Sequence, residues 1–355
     1  MKVLITAGGT GGHIMPAISI AEALRDKVPS ASLVFVGTDR GLEEAIAKRH
    51  SIDFIPLRTE GLRGRKFKEI VHALYVDTKA FLKAIGIIRS LRPDWVIGTG
   101  GYITGIVVFA GLVSGARCAI QEQNTIPGMT NRILGKMVHR VFLGMEDHSG
   151  SFPREKLIVT GNPIRKEIEA LKDTKDRTRA NAILVMGGSL GASRINRTAL
   201  DALKICRDRG INLPVIHQTG SRDYALVVQG YKEISIEARV FDFIDDMVQV
   251  YKDSTLAVCR AGAITLTELM AASLPAIMIP YPHAADNHQM ENARYVASMG
   301  GGWIIPESEL SAERLANEIE KRVKNKEGLE MASRAMGMLF TANGSTRIAE
   351  VIAGV

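Results

Sequence analysis

The feature that most restricts this chain is an alternation of short apolar runs with longer helical patterns. Strands are expected at KVLITA (2–7), SLVFVG (32–37), IDFIP (52–56), DWVIG (94–98), ARCAIQ (116–121), RVFLG (140–144) and LIVTG (157–161), with helices between most of them. Such βα repetition implies a mostly parallel sheet. The polar stretch EIEALKDTKDRTRA (167–180) interrupts the pattern. It restarts at AILVMGG (182–188), LPVIHQTG (213–220), ARVFDF (238–243), TLAVCR (255–260), PAIMIP (275–280) and GGWII (301–305). The expected fold class is therefore α/β, with two doubly wound Rossmann-like domains, 1–162 and 163–340. An active cleft is expected between them at the carboxyl ends of the strands. The closing stretch MASRAMGMLFTANGSTRIAEVI reads as two helices, the last of which (341–355) is expected to cross back to the first domain.

Length and composition fit this division. A chain of 355 residues holds two ordinary cores, and 46% apolar with 23% charged residues describes a folded protein. The three cysteines, Cys118, Cys206 and Cys259, lack C-x-x-C spacing, which argues against a disulfide framework or thiolate metal site and fits a reducing compartment. The opening apolar run is cut at once by glycines, unlike a secretory leader. Trp95 to Ala116 carries no charged side chain and is long enough to span a bilayer, but six glycines divide it into a strand, a turn and a helix. The net charge of +7 lies in one half: residues 1–162 contain 21 Lys/Arg against 14 Asp/Glu, and residues 163–355 contain 24 of each. A basic first half suggests an anionic partner.

Both halves open with a strand, glycines and a helix: GGTGGH at 8–13 and GGSLGAS at 187–193. Backbone N–H groups and the positive end of the following helix stabilise an anion at such loops. Neither loop is a P-loop. In GGTGGHI the dinucleotide fingerprint fails at Ile14, and the acidic residue expected about 20 positions on is absent, which disfavours a nicotinamide enzyme. GTGGY (98–102), GNPIR (161–165) and CRAGAITLTE (259–268) are further glycine turns after strands, with Arg165 and Arg260 as candidate phosphate contacts. QEQNTIPG (121–128) and PYPHAADNHQMENA (280–293) bring Glu122, Asn124, His283, Asp286, Asn287, His288 and Gln289 to strand-end loops, and these suit hydroxyl recognition. Their spacing matches no metal signature. Residues 58–68 hold five Lys/Arg and one Glu. Phe67, Ile70, Val71, Leu74, Thr78, Phe81, Leu82 and Ile85 then recur at helical spacing. For most of these a core-facing stripe is expected, with Tyr75 and Ile88 as residual apolar side chains. An anionic bilayer is the alternative contact.

Taken together, TAGGTGGHIMPA, GLRG, GTGGY, QEQNTIPG, GNPIR, GGSLGAS, CRAGAITLTE and the ADNHQ loop resemble, in order and over essentially the whole chain, one family of bacterial cell-wall glycosyltransferases. These add N-acetylglucosamine to undecaprenyl-pyrophosphoryl-N-acetylmuramoyl-pentapeptide, turning lipid I into lipid II. The resemblance implies a B-type glycosyltransferase fold and a single inverting displacement by the muramoyl 4-hydroxyl, giving a β-1,4 link and UDP. On this sequence it implies donor contacts from Thr10, Gly11, Gly12, Asn124, Arg165, Gly187, Gly188, Ser189, Ile244, Ala263, Ile264, Glu268, His288 and Gln289. Within these, Glu268 would take the ribose hydroxyls and Ile244 the uracil. Gly8 to His13, with Gly101 and Tyr102, would hold the acceptor pyrophosphate. His13 is the first choice of general base and Glu122 the second, with a positional role for either left open. No cofactor or metal is expected. The implied partners are UDP-N-acetylglucosamine, lipid I, an anionic membrane surface and other cell-wall synthesis and division proteins, with no nucleic acid. The implied location is peripheral, on the cytoplasmic face of the cell membrane. The alternatives are another B-type nucleotide-sugar transferase, or an epimerase, with a different acceptor.

Overall fold

The computed structural model describes residues 1–9, 11–61, 66–146, 150–173, 181–188 and 191–355, without the side chains at 67 and 68. The chain divides into two compact units, Met1–Arg165 with Thr341–Val355, and Lys166–Phe340.

In the first unit β1 (Lys2–Thr6), β2 (Ser32–Thr38), β3 (Asp53–Leu57), β4 (Trp95–Gly98), β5 (Arg117–Glu122), β6 (Arg140–Leu143) and β7 (Leu157–Val159) form one sheet. Its order is β3-β2-β1-β4-β5-β6-β7, and every pairing is parallel. Between the strands run α1 (Gly11–Lys27), α2 (Glu43–Arg49), α3 (Phe67–Leu91), α4 (Tyr102–Val113) and α5 (Met129–Gly135). Successive strand residues point to opposite faces, so Ile5 and Leu4 enter two different cores. One holds Ile5, Ile18, Phe35 and Ile97, the other Leu4, Val36, Val96 and Val107. The uncharged stretch from Trp95 is β4, a glycine turn and the twelve-residue α4. Among the described residues no helix is long and apolar enough to cross a membrane.

The second unit opens with α6 (Lys166–Glu169), which buries Ile168, and a 3-10 turn (Ala170–Asp173), which buries Leu171. Part of the polar stretch expected as a break is thus packed structure, because apolar residues three apart share one helix face. The sheet consists of β8 (Ala182–Met186), β9 (Val215–Gln218), β10 (Ala238–Phe241), β11 (Ser254–Cys259), β12 (Ala276–Met278) and β13 (Gly302–Ile304). It is again all parallel, in the order β10-β9-β8-β11-β12-β13. Its helices are α7 (Ser193–Asp208), α8 (Tyr224–Glu233), α9 (Met247–Asp253), α10 (Ala263–Ala271), α11 (His288–Ser298), α12 (Ala312–Lys324) and α13 (Lys326–Met338). The last helix, α14 (Gly344–Ala353), belongs to the first unit. Its Ile348, Ala349 and Ile352 join the core that α1 covers, and Lys27 Nζ meets Glu350 Oε1 at 2.9 Å.

In each sheet the strand order reverses, between β1 and β4 and between β8 and β11. Loops leaving the carboxyl ends there diverge to opposite faces and open a crevice where ligands of such folds bind.

Candidate active site

At the first switch point β1 and β4 end side by side, and Gly8 N donates to Gly100 O at 3.3 Å. His13 is the third residue of α1. Its Nδ1 lies 3.2 Å from Gly8 O. A carbonyl only accepts, so Nδ1 carries the hydrogen and Nε2 is the basic nitrogen of the neutral ring. The ring lies against Gly100, where a Cβ would come within 2.5 Å of its Cδ2. Pro16 has no N–H to give the Gly12 carbonyl, which removes one rung from the first turns of α1. Thr99 Oγ1 supplies another anchor by donating to His13 O at 2.8 Å.

Buried carboxylates tie the surrounding loops. Glu43, 1% exposed, accepts from Gly9 N at 3.2 Å and from Thr38 Oγ1 at 3.0 Å. Gly101 is the N-cap of α4. Beside it Tyr102 donates its hydroxyl to Asp77 Oδ2 at 2.6 Å, while Asp77 Oδ1 accepts from Glu60 N at 2.9 Å. Glu122 closes β5 and is 2% exposed. Its Oε1 accepts from Asn124 N and Asn124 Nδ2, both at 2.9 Å. Its Oε2 accepts from Gly128 N at 3.1 Å and Asn131 Nδ2 at 2.8 Å. The QNTIPG loop is wrapped around this one carboxylate. Asn162 of GNPIR donates to Gln123 O at 3.1 Å and accepts from Gln121 Nε2 at 3.0 Å, and half-buried Arg165 ends the segment.

At the second switch point β8 runs into Gly187 and Gly188, and Gly191 N donates back to Gly188 O at 2.9 Å. Gly191 has φ +73, and a Cβ there would lie 2.0 Å from Thr219 O. Only glycine allows that approach. Thr10 and Ser189, assigned to the two loops, lie outside the described residues, as does most of GLRG. Across the switch, Gly262 is the N-cap of α10, Ala263 and Ile264 open the helix, and half-buried Glu268 accepts from Tyr251 Oη at 2.7 Å. Ile244 is buried in the bend after β10. His288 and Gln289 begin α11. His288 Nδ1 donates to Ala285 O at 2.6 Å, and Gln289 Oε1 accepts from Tyr281 N at 3.0 Å. Asp286 and Asn287 just before them stand at φ +49 and +56. Asp and Asn tolerate that region better than other side chains, and strain of this kind gathers at functional loops.

One candidate phosphate contact is not available. Arg260 pairs with Glu307, donates to Ile279 O at 3.1 Å and Pro280 O at 3.3 Å, and stacks over the Tyr281 ring at 5.3 Å. It braces the 280s loop. Asn292, which the sequence did not single out, ties α11 to the turn before α10 through Nδ2 and Ala261 O at 3.2 Å. Among the described residues no three His, Cys, Asp or Glu side chains converge as a metal site. The cysteines are buried, which pushes the Cys118 and Cys259 thiols up to about 12 and Cys206 to about 11.

Two family profiles cover most of the sequence: the glycosyltransferase family 28 N-terminal domain over residues 3–143 and its C-terminal domain over 182–352. The chain belongs to glycosyltransferase family 28. A protein of Myxococcus xanthus, named UDP-N-acetylglucosamine–N-acetylmuramyl-(pentapeptide) pyrophosphoryl-undecaprenol N-acetylglucosamine transferase, is 39% identical over 99% of this chain and 92% of its own. Its namesake in Desulfotalea psychrophila is also 39% identical, over 93% of this chain and 90% of its own. The crystal structure of Acinetobacter baumannii MurG superposes with a TM-score of 0.80 at 27% identity, covering 100% of this chain and 99% of that one. A UDP-GlcNAc 2-epimerase from Neisseria meningitidis, bound to UDP-GlcNAc, reaches 0.67 at 15% identity with both chains fully covered, a likeness of fold alone. Two parallel-sheet domains flanked by helices are the B-type glycosyltransferase fold.

The family 28 chain departs from its sequence reading on α3. The expected core stripe faces outward in large part: Val71, Leu74 and Leu82 are half or more exposed, as is Tyr75. The helix buries Ala73, Val76, Ala80, Ala84 and Ile88 instead, so Ile88 is core and not residual surface. Small side chains let α3 lie close to the sheet, and the large ones are left outside. Phe81 stacks on exposed Phe109 of α4 at 5.6 Å, which joins the two helices in one apolar face. Beside it a cavity of about 300 Å³ is lined by Arg58, His72, Lys79 and Lys83 around Tyr75 and Val76.

Proposed function

We infer that this chain is the transferase that moves N-acetylglucosamine from UDP-N-acetylglucosamine to the muramoyl 4-hydroxyl of lipid I, forming lipid II and UDP. The observation that carries this is full-length similarity to enzymes so named, on a fold whose two switch points each present a glycine turn at a helix start.

The acceptor oxygen attacks C1 of the sugar, the bond from C1 to the diphosphate oxygen breaks, and UDP leaves with the electron pair. The proton passes to Nε2 of His13, whose other nitrogen is committed to Gly8 O. Glu122, buried with four donors on its oxygens, organises the loop that carries Asn124. Gly187, Gly188 and Ser189, with the N-terminus of α7 and Arg165, receive the diphosphate. The charge that develops there is met by fixed N–H dipoles, so the step needs no metal. Glu268 binds the ribose hydroxyls, the backbone at Ile244 reads the uracil, and Asn124, Ala263, Ile264, His288 and Gln289 hold the sugar. Gly8 to His13, Gly101 and Tyr102 hold the acceptor pyrophosphate. The apolar face of α3 and α4 with its basic rim rests on anionic lipid at the cytoplasmic side of the membrane.

Transfer of labelled N-acetylglucosamine to a lipid I analogue tests the reading, with and without chelator. Product in both reactions is expected. No product from either would overturn the activity, and loss on chelation alone would overturn the metal-free step.

A further inference from the structure

Below the second glycine turn lies a buried hydrogen-bonded chain for which the reaction has so far found no use. His217 on β9 is fully buried. Its Nδ1 lies 2.8 Å from Tyr231 Oη on α8, and its Nε2 lies 3.1 Å from Asn196 Oδ1 on α7. Asn196 Nδ2 in turn donates to Thr219 O and to Asp223 Oδ2, both at 2.9 Å. These bonds fix every direction. The Asn196 amide nitrogen gives both its hydrogens, so its oxygen faces His217 and Nε2 carries the imidazole hydrogen. Nδ1 then accepts from the Tyr231 hydroxyl. Burial holds the ring neutral, pushing it down to about 3 against a weaker opposing effect of Asp223.

The far end of the chain is unusual in its capping. Asp223 stands at the N-cap of α8, where an aspartate normally caps its own helix, yet it makes no such bond. Ala192 at the N-cap of α7 has no side chain able to cap. The Asp223 carboxylate instead takes hydrogen bonds from Ser193 and Asn196 of α7. Burial alone would raise its pKa, but these bonds and the Arg222 and Arg197 charges hold it below the usual carboxylate range. Two local caps are forgone for one long-range link. That link meets the glycine turn at Thr219 O, which accepts from Asn196 and also leaves no room for a side chain on Gly191.

We propose that Asn196 is a positioning residue for the donor, fixing the first turn of α7 and, through Thr219 O, Gly191, by way of the chain Tyr231–His217–Asn196–Asp223–Ser193. This rests on the reading above that the turn receives the donor diphosphate. Asn196→Ala removes the node. His217→Leu removes the N–H that orients Asn196, whereas His217→Gln keeps an amide N–H able to reach the same oxygen. UDP binding by calorimetry and both KM values are measured well below each variant's Tm, with folding checked by circular dichroism.

The expected result is a donor KM raised roughly tenfold or more in Asn196→Ala and His217→Leu, with acceptor KM unchanged and His217→Gln within about threefold of the parent. If Asn196→Ala does not fold, Asp223→Asn carries the same readout from the other end of the chain. A lower Tm with unchanged donor KM would make the chain merely structural and overturn the proposal, as would a rise confined to acceptor KM. Failure of the parent enzyme to bind UDP would instead overturn the donor assignment on which the proposal rests.

Discussion

At the first switch point the loops hang on buried carboxylates: Glu43 holds Gly9, Asp77 holds Tyr102, and Glu122 holds the QNTIPG loop. At the second, a carbonyl stands against Gly191 and an imidazole orients Asn196, and the carboxylate in that chain, Asp223, has the Arg197 and Arg222 charges beside it. The topology is the same, but the electrostatics differ. Gly9 N–H, already given to Glu43, is one donor fewer for the acceptor pyrophosphate proposed to sit there. On the proposed reading the second turn receives the leaving diphosphate, while the first places His13 as the base.

The largest effect expected from breaking this contrast is at His13. If the first loop supplies the base, His13→Ala lowers kcat by roughly 10²–10⁴ and leaves donor KM nearly unchanged. A preserved kcat with a raised acceptor KM would reduce the ring to a holding role. On the other side, Gly191→Ala puts a Cβ within 2.0 Å of Thr219 O at a φ of +73. Strain of this kind is expected to cost about 1–3 kcal/mol, read as a lower denaturation midpoint together with weaker UDP binding. An unchanged midpoint would show that the turn relaxes without cost.

The neutral anchor also makes a pH prediction. The unfolded chain takes up a proton on His217 as pH falls below its ordinary 6.5, while the folded chain refuses it down to about 3. The stability that this group supports is therefore full above 6.5 and is lost as pH drops through that window, at about 1.4 kcal/mol per pH unit. Denaturant unfolding of the parent and of His217→Gln between pH 7 and pH 4 isolates the effect. The difference in stability between them should tilt with that slope, and a flat difference would mean that the ring gains its proton without unfolding.

What was legible in the sequence follows from the same physics. Buried parallel strands such as KVLITA and AILVMGG announce themselves because every residue is covered, and the glycines after them mark where helices must start close by. The outward face of α3 was not legible. Its periodicity presents two apolar faces, one of large residues and one of alanines, and spacing alone does not say which is buried. The four donors on Glu122 lie within nine residues of it, yet spacing alone does not show that the loop closes on the carboxylate; the partners of Asn196 come from positions distant in sequence that only the folded sheet brings together. His217 sits within an apolar strand, and no local neighbour hints at its link to α7.

The smallest effect on stability is expected on α3, whose outward face contrasts with that of α7. Both helices cover a sheet, but α7 exposes Arg194 and Arg197 where α3 exposes Leu74, Tyr75 and Leu82. For Leu82→Asp, at 62% exposure, the transfer cost is that of a side chain already in water, so stability should change by no more than about 0.5 kcal/mol. Vesicle binding should respond far more, because the same substitution places a carboxylate where an apolar side chain would enter the lipid and opposes the anionic headgroups that Lys79 and Lys83 attract. Sedimentation with anionic and neutral vesicles separates the two contributions. The parent should favour anionic vesicles and the variant should lose binding to both. Undiminished binding by Leu82→Asp would move the membrane contact off this face.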